Sequence, residues 1–528
     1  MLFRKIMKIK PALVQICVLL AMLLALPVAV QAQFTFTTNT DGSLNIADYT
    51  GSGGTVVIPA TTNDLTVTSI GGDAFYGCTS LTSVMIPNSI TNIGWLPFVF
   101  CSSLTAITVN ASNPDYSSVG GILFNQNQTT LIQYPGGLAD GYIIPNSVTN
   151  IAEFAFVDCD SLTSLTIPNS VTSIGQGAFT DCGSLTSVTI PNSVTSLGDG
   201  AFTSCGSLTN VTIPDSVTSI AEGAFGGCTS LANVAIPESV ISIGPQAFQG
   251  CFSLTGVTIP NSVTSIGSQA FEDCTDLTSL TIPNSVTSIG NFTFGGCSSL
   301  TSVTIPNSVA IIGATSFAGC SSLTSLTISG SVTILGEEVF AGCTSLTNVT
   351  ILYGVTSIGS FAFEGCSSLT SVIIPNSVTS IGMDAFADCF SLTSVAIPYG
   401  VTSISDGTFQ ACSNLTSVFF QGNAPTPAND TSVFSGDAAA TAYYFPSTTG
   451  WGATFDGIPT MPTAPALGIS TYGGRPVIIY PQSGTNFVLQ MTTNLASGNW
   501  VTVTNAVPFV SVQITNAPAN AFFRLNEN

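Results

Sequence analysis

No histidine occurs in this chain, and no lysine follows Lys10. Beyond the first ten residues the only cations are Arg475 and Arg524, so the long stretch between 33 and 462 has no positively charged side chain. Ser-His, Cys-His and Ser-Lys nucleophile pairs therefore cannot be assembled there. Charge of either sign is scarce, at 6% of residues, and the 27 acids leave a formal net charge of −21. A surface of that sign repels phosphate backbones and anionic headgroups, which removes nucleic acid as a partner. Glycine-rich phosphate loops and G-x-S-x-G elbows are missing as well. After residue 32 no segment is apolar for long enough to span a bilayer.

What is there begins with a basic start, Arg4 to Lys10, followed by an apolar run from Ala12 to Val30 and small residues at Val30 and Ala32. This reads as a secretory signal peptide cut ahead of Gln33. The alternative is an uncleaved anchor of about 19 residues, just long enough to span. Cys17 lacks the small residues that precede a lipidated cysteine.

The body is one repeated sentence. Cysteines stand at 159, 182, 205 and onward every 23 residues to 412, and Cys78 and Cys101 are one period apart. Each of these fourteen has a phenylalanine three residues before it, from Phe75 to Phe409. Leu162, Leu165 and Ile167 follow L-x-x-L-x-I, the mark of a leucine-rich solenoid at this period. Within a repeat, Leu185, Val188 and Ile190 should point inward while Thr186, Ser187 and Thr189 face out along a short strand. Pro191 ends the strand. Val194 and Leu197 turn back inward, Gly198 permits a turn that a side chain would hinder, and the pairs Phe179 and Cys182, Phe202 and Cys205, Phe225 and Cys228 form an inner ladder. The segment after the glycine is too short for an independent helix, so one helical or 3₁₀ turn per repeat is expected. A single repeat cannot bury enough apolar surface to fold; stacked neighbours supply the rest.

The fold class expected is thus a repeat solenoid with a parallel β-sheet on one face and short helical or 3₁₀ turns on the other. Its organisation reads as a signal peptide at 1–32, an N-terminal cap at 33–77, the solenoid at 78–417, a C-terminal cap at 418–458, a linker at 459–467 and a small antiparallel β domain at 468–528. The interval from Cys101 to Cys159 is longer than one period, and the extra residues, about 107–143, look like a β-hairpin projecting from the solenoid.

The repeat resembles the BspA-like class of leucine-rich repeat proteins found on and outside bacterial cells, whose signature is L-x-x-I-x-I-P-x-S-V-x-x-I-G-x-x-A-F-x-x-C. Leu185 to Cys205 matches it with Leu197 before the glycine. The resemblance covers roughly Asp41 to Thr460, including the opening DGSLNIADYTGSGGTVVIP, the NPDYSSVGGILF insertion and the Gly450-Trp451 ending. Ser329, Leu352 and Gln421 depart from it by replacing the usual proline. It implies a secreted or surface-displayed binding or adhesion protein with no catalytic residues to carry over.

Metal sites want clustered C-x-x-C pairs or histidine, and neither is present. Equivalent cysteines on adjacent turns would lie about 5 Å apart, within disulfide range. An unbroken ladder nevertheless suits buried free thiols better than pairwise bridges. Carboxylate pairs such as Glu272-Asp273 and Glu337-Glu338 are the one acid/base option, as in a hydrolase, but a solvated outer face explains them more simply. No cofactor or metal is expected.

The candidate ligand face is the outward row of the strands. Its fifth strand position is threonine at Thr304, Thr327 and Thr350, then turns apolar at Ile373, Ala396 and Phe419, with Tyr353 and Tyr399 as added exposed aromatics. Such a long Ser/Thr-rich face points to a non-catalytic extracellular protein that binds protein or polysaccharide ligands through many modest contacts. The alternative is a structural surface protein that contacts ice or glycan lattices. Oligomeric state is left open by the sequence.

Overall fold

The computed structural model describes residues 33–426 and 432–462, followed by the backbone of six strands between Gly468 and Glu527. The expected signal peptide lies outside the described residues. The chain divides into two compact units, 1–208 and 209–528. Both have the leucine-rich repeat solenoid fold.

A typical repeat contributes a strand of three to six residues, a corner that usually holds proline, and a two-residue strand. In the first unit Leu162–Thr166 pairs in parallel with Asp140–Ile143 and with Ser187–Thr189. In the second unit the broad ladder runs in strict register from Asn210–Thr212 to Ser417–Phe420 and continues through Thr441–Tyr444 and Ile458–Pro462. The residues anticipated as the start of a linker therefore begin as a strand. A narrow ladder runs beside it from Ser219–Ile220 to Ser380–Ile381. The alternation behaves as read from the sequence: Leu185, Val188, Ile190, Val194 and Leu197 are buried, while Thr186, Ser187 and Thr189 are not.

The helical or 3₁₀ turn expected opposite the sheet does not form; no helix occurs among the described residues. Successive β-turns take its place. Ala178, Thr180 and Cys182 donate their N–H groups back to Gly175, Gly177 and Phe179 at 3.3, 3.0 and 3.3 Å, whereas Gly177, Phe179 and Asp181 donate to Asp199, Ala201 and Thr203 of the next turn at 2.8, 2.8 and 2.9 Å. The alternation comes from two left-handed residues per repeat, Gly177 and Asp181 in this one and Gln246 and Gly250 in another. A helix would direct every N–H along its own axis and leave none for the neighbour. The flipped peptides give the third side its own inter-turn ladder. The repeat glycine makes room that a side chain would fill, as anticipated, and it does so through close approach of the neighbouring turn. Gly244 has no positive φ, but a Cβ there would lie 2.8 Å from the backbone of Ala221 and Glu222 on the preceding turn.

Inside, the phenylalanines stack. In the second unit the rings from Phe225 to Phe409 are nearly parallel from turn to turn and end on Phe434, which lies 5.7 Å from Phe409. In the first unit Tyr49 stacks on Phe75 at 5.1 Å, so the N-terminal cap closes the column with a ring of its own.

The insertion does not project. Tyr116–Val119 and Ile122–Asn125 form a hairpin, but Thr130–Gln133 joins it to the parallel strand Asn150–Ile151. Ile122, Leu123, Phe124 and Leu131 are buried. Apolar residues on both sides of that hairpin need cover that only the body supplies. Tyr134 takes the vacant place in the ring column, stacked 5.0 Å from Phe156.

The first unit opens with an antiparallel pair, Phe34–Thr38 on Leu44–Tyr49. In the second, Ile458–Pro462 is closed by the antiparallel pair Thr454–Phe455. Beyond residue 467, Gly468–Tyr472 pairs with Arg475–Ile479 and Phe487–Thr492 with Phe522–Glu527, both antiparallel.

Candidate ligand face

Three columns of hydroxyls run along the broad ladder of the second unit, and the structure separates them by use. Threonines at the second strand position are committed: Thr278, Thr301, Thr347 and Thr370 each donate Oγ1 to the carbonyl of the equivalent residue one turn back, at 3.2, 3.1, 3.0 and 3.2 Å. They stitch the ladder. The third-position serines Ser279, Ser302 and Ser325 and the fifth-position threonines Thr281, Thr304 and Thr327 are exposed and bond to nothing among the described residues. Those two columns are the ones open to a ligand.

Register then decides which candidate residues meet. Thr327 lies beside Thr350, Thr350 beside Ile373, Ile373 beside Ala396, and Ala396 beside Phe419. The same row continues to Tyr443 and Met461, two residues that reading by the 23-residue step left out. Phe419 is 40% exposed and its ring stacks on Tyr443 at 5.2 Å, and Met461 is 52% exposed. The result is a continuous strip passing from hydroxyl to apolar to aromatic. Tyr353 and Tyr399, 66% and 52% exposed, occupy the corner after the strands, two turns apart with Asn376 between them. They flank the strip rather than extend it.

A second exposed aromatic group lies on the turn side of the first unit. Trp95 meets Phe154 edge-on at 5.2 Å, and Tyr76 meets Phe100 likewise at 5.3 Å. No repeat rule predicts it, because Trp95 and Tyr76 occupy positions that vary between turns.

Among the described residues the fourteen cysteines from Cys78 to Cys412 form no disulfide, and all are buried except the half-buried Cys78. Cys274, Cys297 and Cys320 each donate Sγ–H to the carbonyl of the preceding turn's phenylalanine, Phe248, Phe271 and Phe294, at 3.3 Å. Burial pushes Cys251, Cys297 and Cys343 up to about 12. A thiol held protonated in this way is neither a nucleophile nor a metal ligand at neutral pH. The inner ladder Phe179, Cys182, Phe202 and Cys205 in the first unit and Phe225 and Cys228 in the second is fully buried. One site breaks the pattern. Phe434 continues the ring column, but Asp437 stands three residues later where the repeat has cysteine. Its side chain is 2% exposed, and burial, opposed only by the Cys412 main chain, raises it to about 7.

The acid pairs stay on the turn side. Glu272 accepts hydrogen bonds from Gln249 and Gln269 at 2.7 and 2.9 Å, and Asp273 is exposed. Among the described residues no group of three or more histidine, cysteine or acidic side chains is placed to hold a metal ion.

Comparison with known proteins gives three results. A family model described as a BspA type leucine rich repeat region of six copies matches residues 55–139, 140–255, 241–356 and 333–449. The crystal structure of a leucine-rich repeat protein from Bacteroides ovatus is similar, with 29% identity and a TM-score of 0.50 over 78% of this chain and 93% of its own. A leucine rich cell surface protein from Faecalibacterium prausnitzii is 31% identical over 69% of this chain and 92% of its own, with a TM-score of 0.41. No curated protein matches the chain.

Proposed function

The chain belongs to the BspA-type leucine-rich repeat family, and from that membership we propose that it is a non-catalytic binding protein of the bacterial exterior that attaches to an extracellular protein through the aromatic end of its broad ladder. The observation that carries this reading is the in-register strip Ile373, Ala396, Phe419, Tyr443 and Met461. Over these five successive rungs the half-buried Ile373, Ala396 and Tyr443 and the exposed Phe419 and Met461 replace free hydroxyls, and large apolar and aromatic residues are what a protein interface recruits. A repeat scaffold suits the task because its contacts add along one face. The cell-surface description of the Faecalibacterium relative and the signal-like N-terminus support an exterior location.

The test is saturable binding of the full chain to an array of extracellular matrix proteins and polysaccharides at physiological salt. Binding to one protein that Phe419→Ser weakens by about tenfold or more, with Phe292→Ser on the turn side as a neutral control, is the expected result. Silence across the array would sink the reading, as would binding indifferent to Phe419.

A further inference from the structure

Two successive turns of the second unit lack the corner proline, with Ser329 and Leu352 in its place, whereas Pro283, Pro306 and Pro375 keep it. A cavity of about 310 Å³ lies at that corner. Its lining includes the free hydroxyls of Ser302, Thr304 and Thr327, the Asn307 amide, Ser329 and the Leu352 side chain. Val303 and Leu326 are buried beneath it. We propose that this cavity is a binding subsite for one neutral sugar ring of a glycan.

The chemistry selects the ligand class. No carboxylate lines the cavity, and residues 33–462 contain no cation, so neither a metal ion nor an anionic group finds a partner. A purely apolar ligand would strand the hydroxyls. A peptide strand would need a sheet edge, but Ser302–Thr304 and Ser325–Ile328 are paired on both sides. What remains is a compact neutral molecule with many hydroxyls and one apolar face. The volume sits at the small end of ligand pockets, about 300–1,000 Å³, which fits a single ring.

The polar groups are also aimed. Ser329, only 3% exposed, donates Oγ–H to Asn307 Oδ1 at 2.7 Å and takes the N–H of Ser331 at 3.3 Å. With its oxygen so engaged, the Asn307 amide keeps both Nδ2 hydrogens for a ligand. Tyr353 follows Leu352 and is 66% exposed. Its carbonyl lies against Gly330, where a side chain would strike it; Leu352 itself, with Val303 and Leu326 beneath, supplies the apolar wall for the apolar face of a sugar. The inference rests on the reading of the chain as a binding protein but concerns a different place from the aromatic strip.

The experiment is titration of the full chain with neutral mono- and disaccharides of glucose, galactose, mannose and N-acetylglucosamine, followed by calorimetry and ligand-observed NMR. Ser329→Pro restores the residue that other turns use and fills the corner; it is compatible with folding because Ser329 donates no main-chain hydrogen bond. We expect at least one sugar to bind saturably, and Ser329→Pro and Leu352→Ala each to weaken it by about tenfold or more while Phe419→Ser leaves it unchanged. No saturable binding up to tens of millimolar would overturn the proposal. So would sugar binding that Ser329→Pro leaves intact, or binding lost with Phe419→Ser. If the sugar site fails while a protein still binds at Phe419, only this inference falls.

Discussion

From Phe225 to Phe434 the inward column keeps the same ring at every turn, whereas the outward row of the same repeats passes from Thr281 through Ile373 to Phe419 and Met461. Backbone and register are shared; the difference lies in what surrounds each side chain. An inner ring has an identical ring above and below it, 5.5 Å away for Phe340 toward both Phe317 and Phe363, so its size is set by its neighbours. An outer side chain touches its row and water, so its chemistry can change one turn at a time. The inside makes the ladder, and the outside is free to specify a ligand.

Alkali should break the inside with the largest effect. The folded state holds Cys251, Cys297 and Cys343 near 12, while the unfolded chain releases those protons from about 9. These thiols therefore leave stability unaffected below that value and lower it as pH rises toward 12, by about 1.4 kcal/mol per pH unit per thiol and about 4 per pH unit for the three together. Denaturant midpoints measured between pH 8 and 11 should drop steeply; a flat profile would mean that the thiols are not buried.

Next comes a single ring. Phe317→Ala should cost about 3–5 kcal/mol by equilibrium unfolding, and a loss under 1 kcal/mol would show that the column tolerates gaps.

Asp437 sharpens the contrast because it is an inner site with outer chemistry. Its folded value near 7 stands above the ordinary 3.8, so the unfolded chain gives up the proton first and stability falls as pH rises from about 4 to 7. The loss at neutral pH is up to about 4 kcal/mol. Asp437→Cys should remove that slope and raise the midpoint at pH 8 relative to pH 5, compared with the parent chain. Equal pH dependence in both proteins would refute the assignment.

The smallest effect belongs to the outer row. Thr281→Ala should change stability by no more than about 0.5 kcal/mol, since Thr281 is exposed and its hydroxyl bonds to nothing among the described residues. A cost like that of Phe317→Ala would erase the distinction between the two faces.

The inner side was legible because its residues announce themselves at a fixed step: Leu185, Val188, Ile190, Phe202 and Cys205 are buried as their spacing requires. The turn side was not. Its geometry depends on left-handed backbone at Gln246, Phe292 and Thr315, and none of those residues signals that conformation; stacking against neighbouring turns imposes it. The insertion gave away its hairpin through alternation, but Tyr134 could not be recognised as a column ring without the cysteine that normally follows. The outer row was readable as far as Phe419 and lost after it, because Tyr443 and Met461 fall off the repeat step while the sheet register still carries them onto the same line. The cavity depended on two missing prolines that the sequence displayed, although only packing shows that their absence leaves a space.

The antiparallel strands at the two termini of the described body bear on how the molecule behaves at high concentration. A ladder of identical parallel rungs is a template for its own copies, and an uncovered last rung would accept the first rung of another molecule and grow into a filament. Thr454–Phe455 runs against that direction, is only two residues long, and lies on a strand that holds Pro459 and Pro462. Short, reversed and proline-bearing edges resist such addition. At the other terminus Phe34–Thr38 reverses direction in the same way. Each of these edges thus carries features that disfavour the end-to-end addition of a second copy.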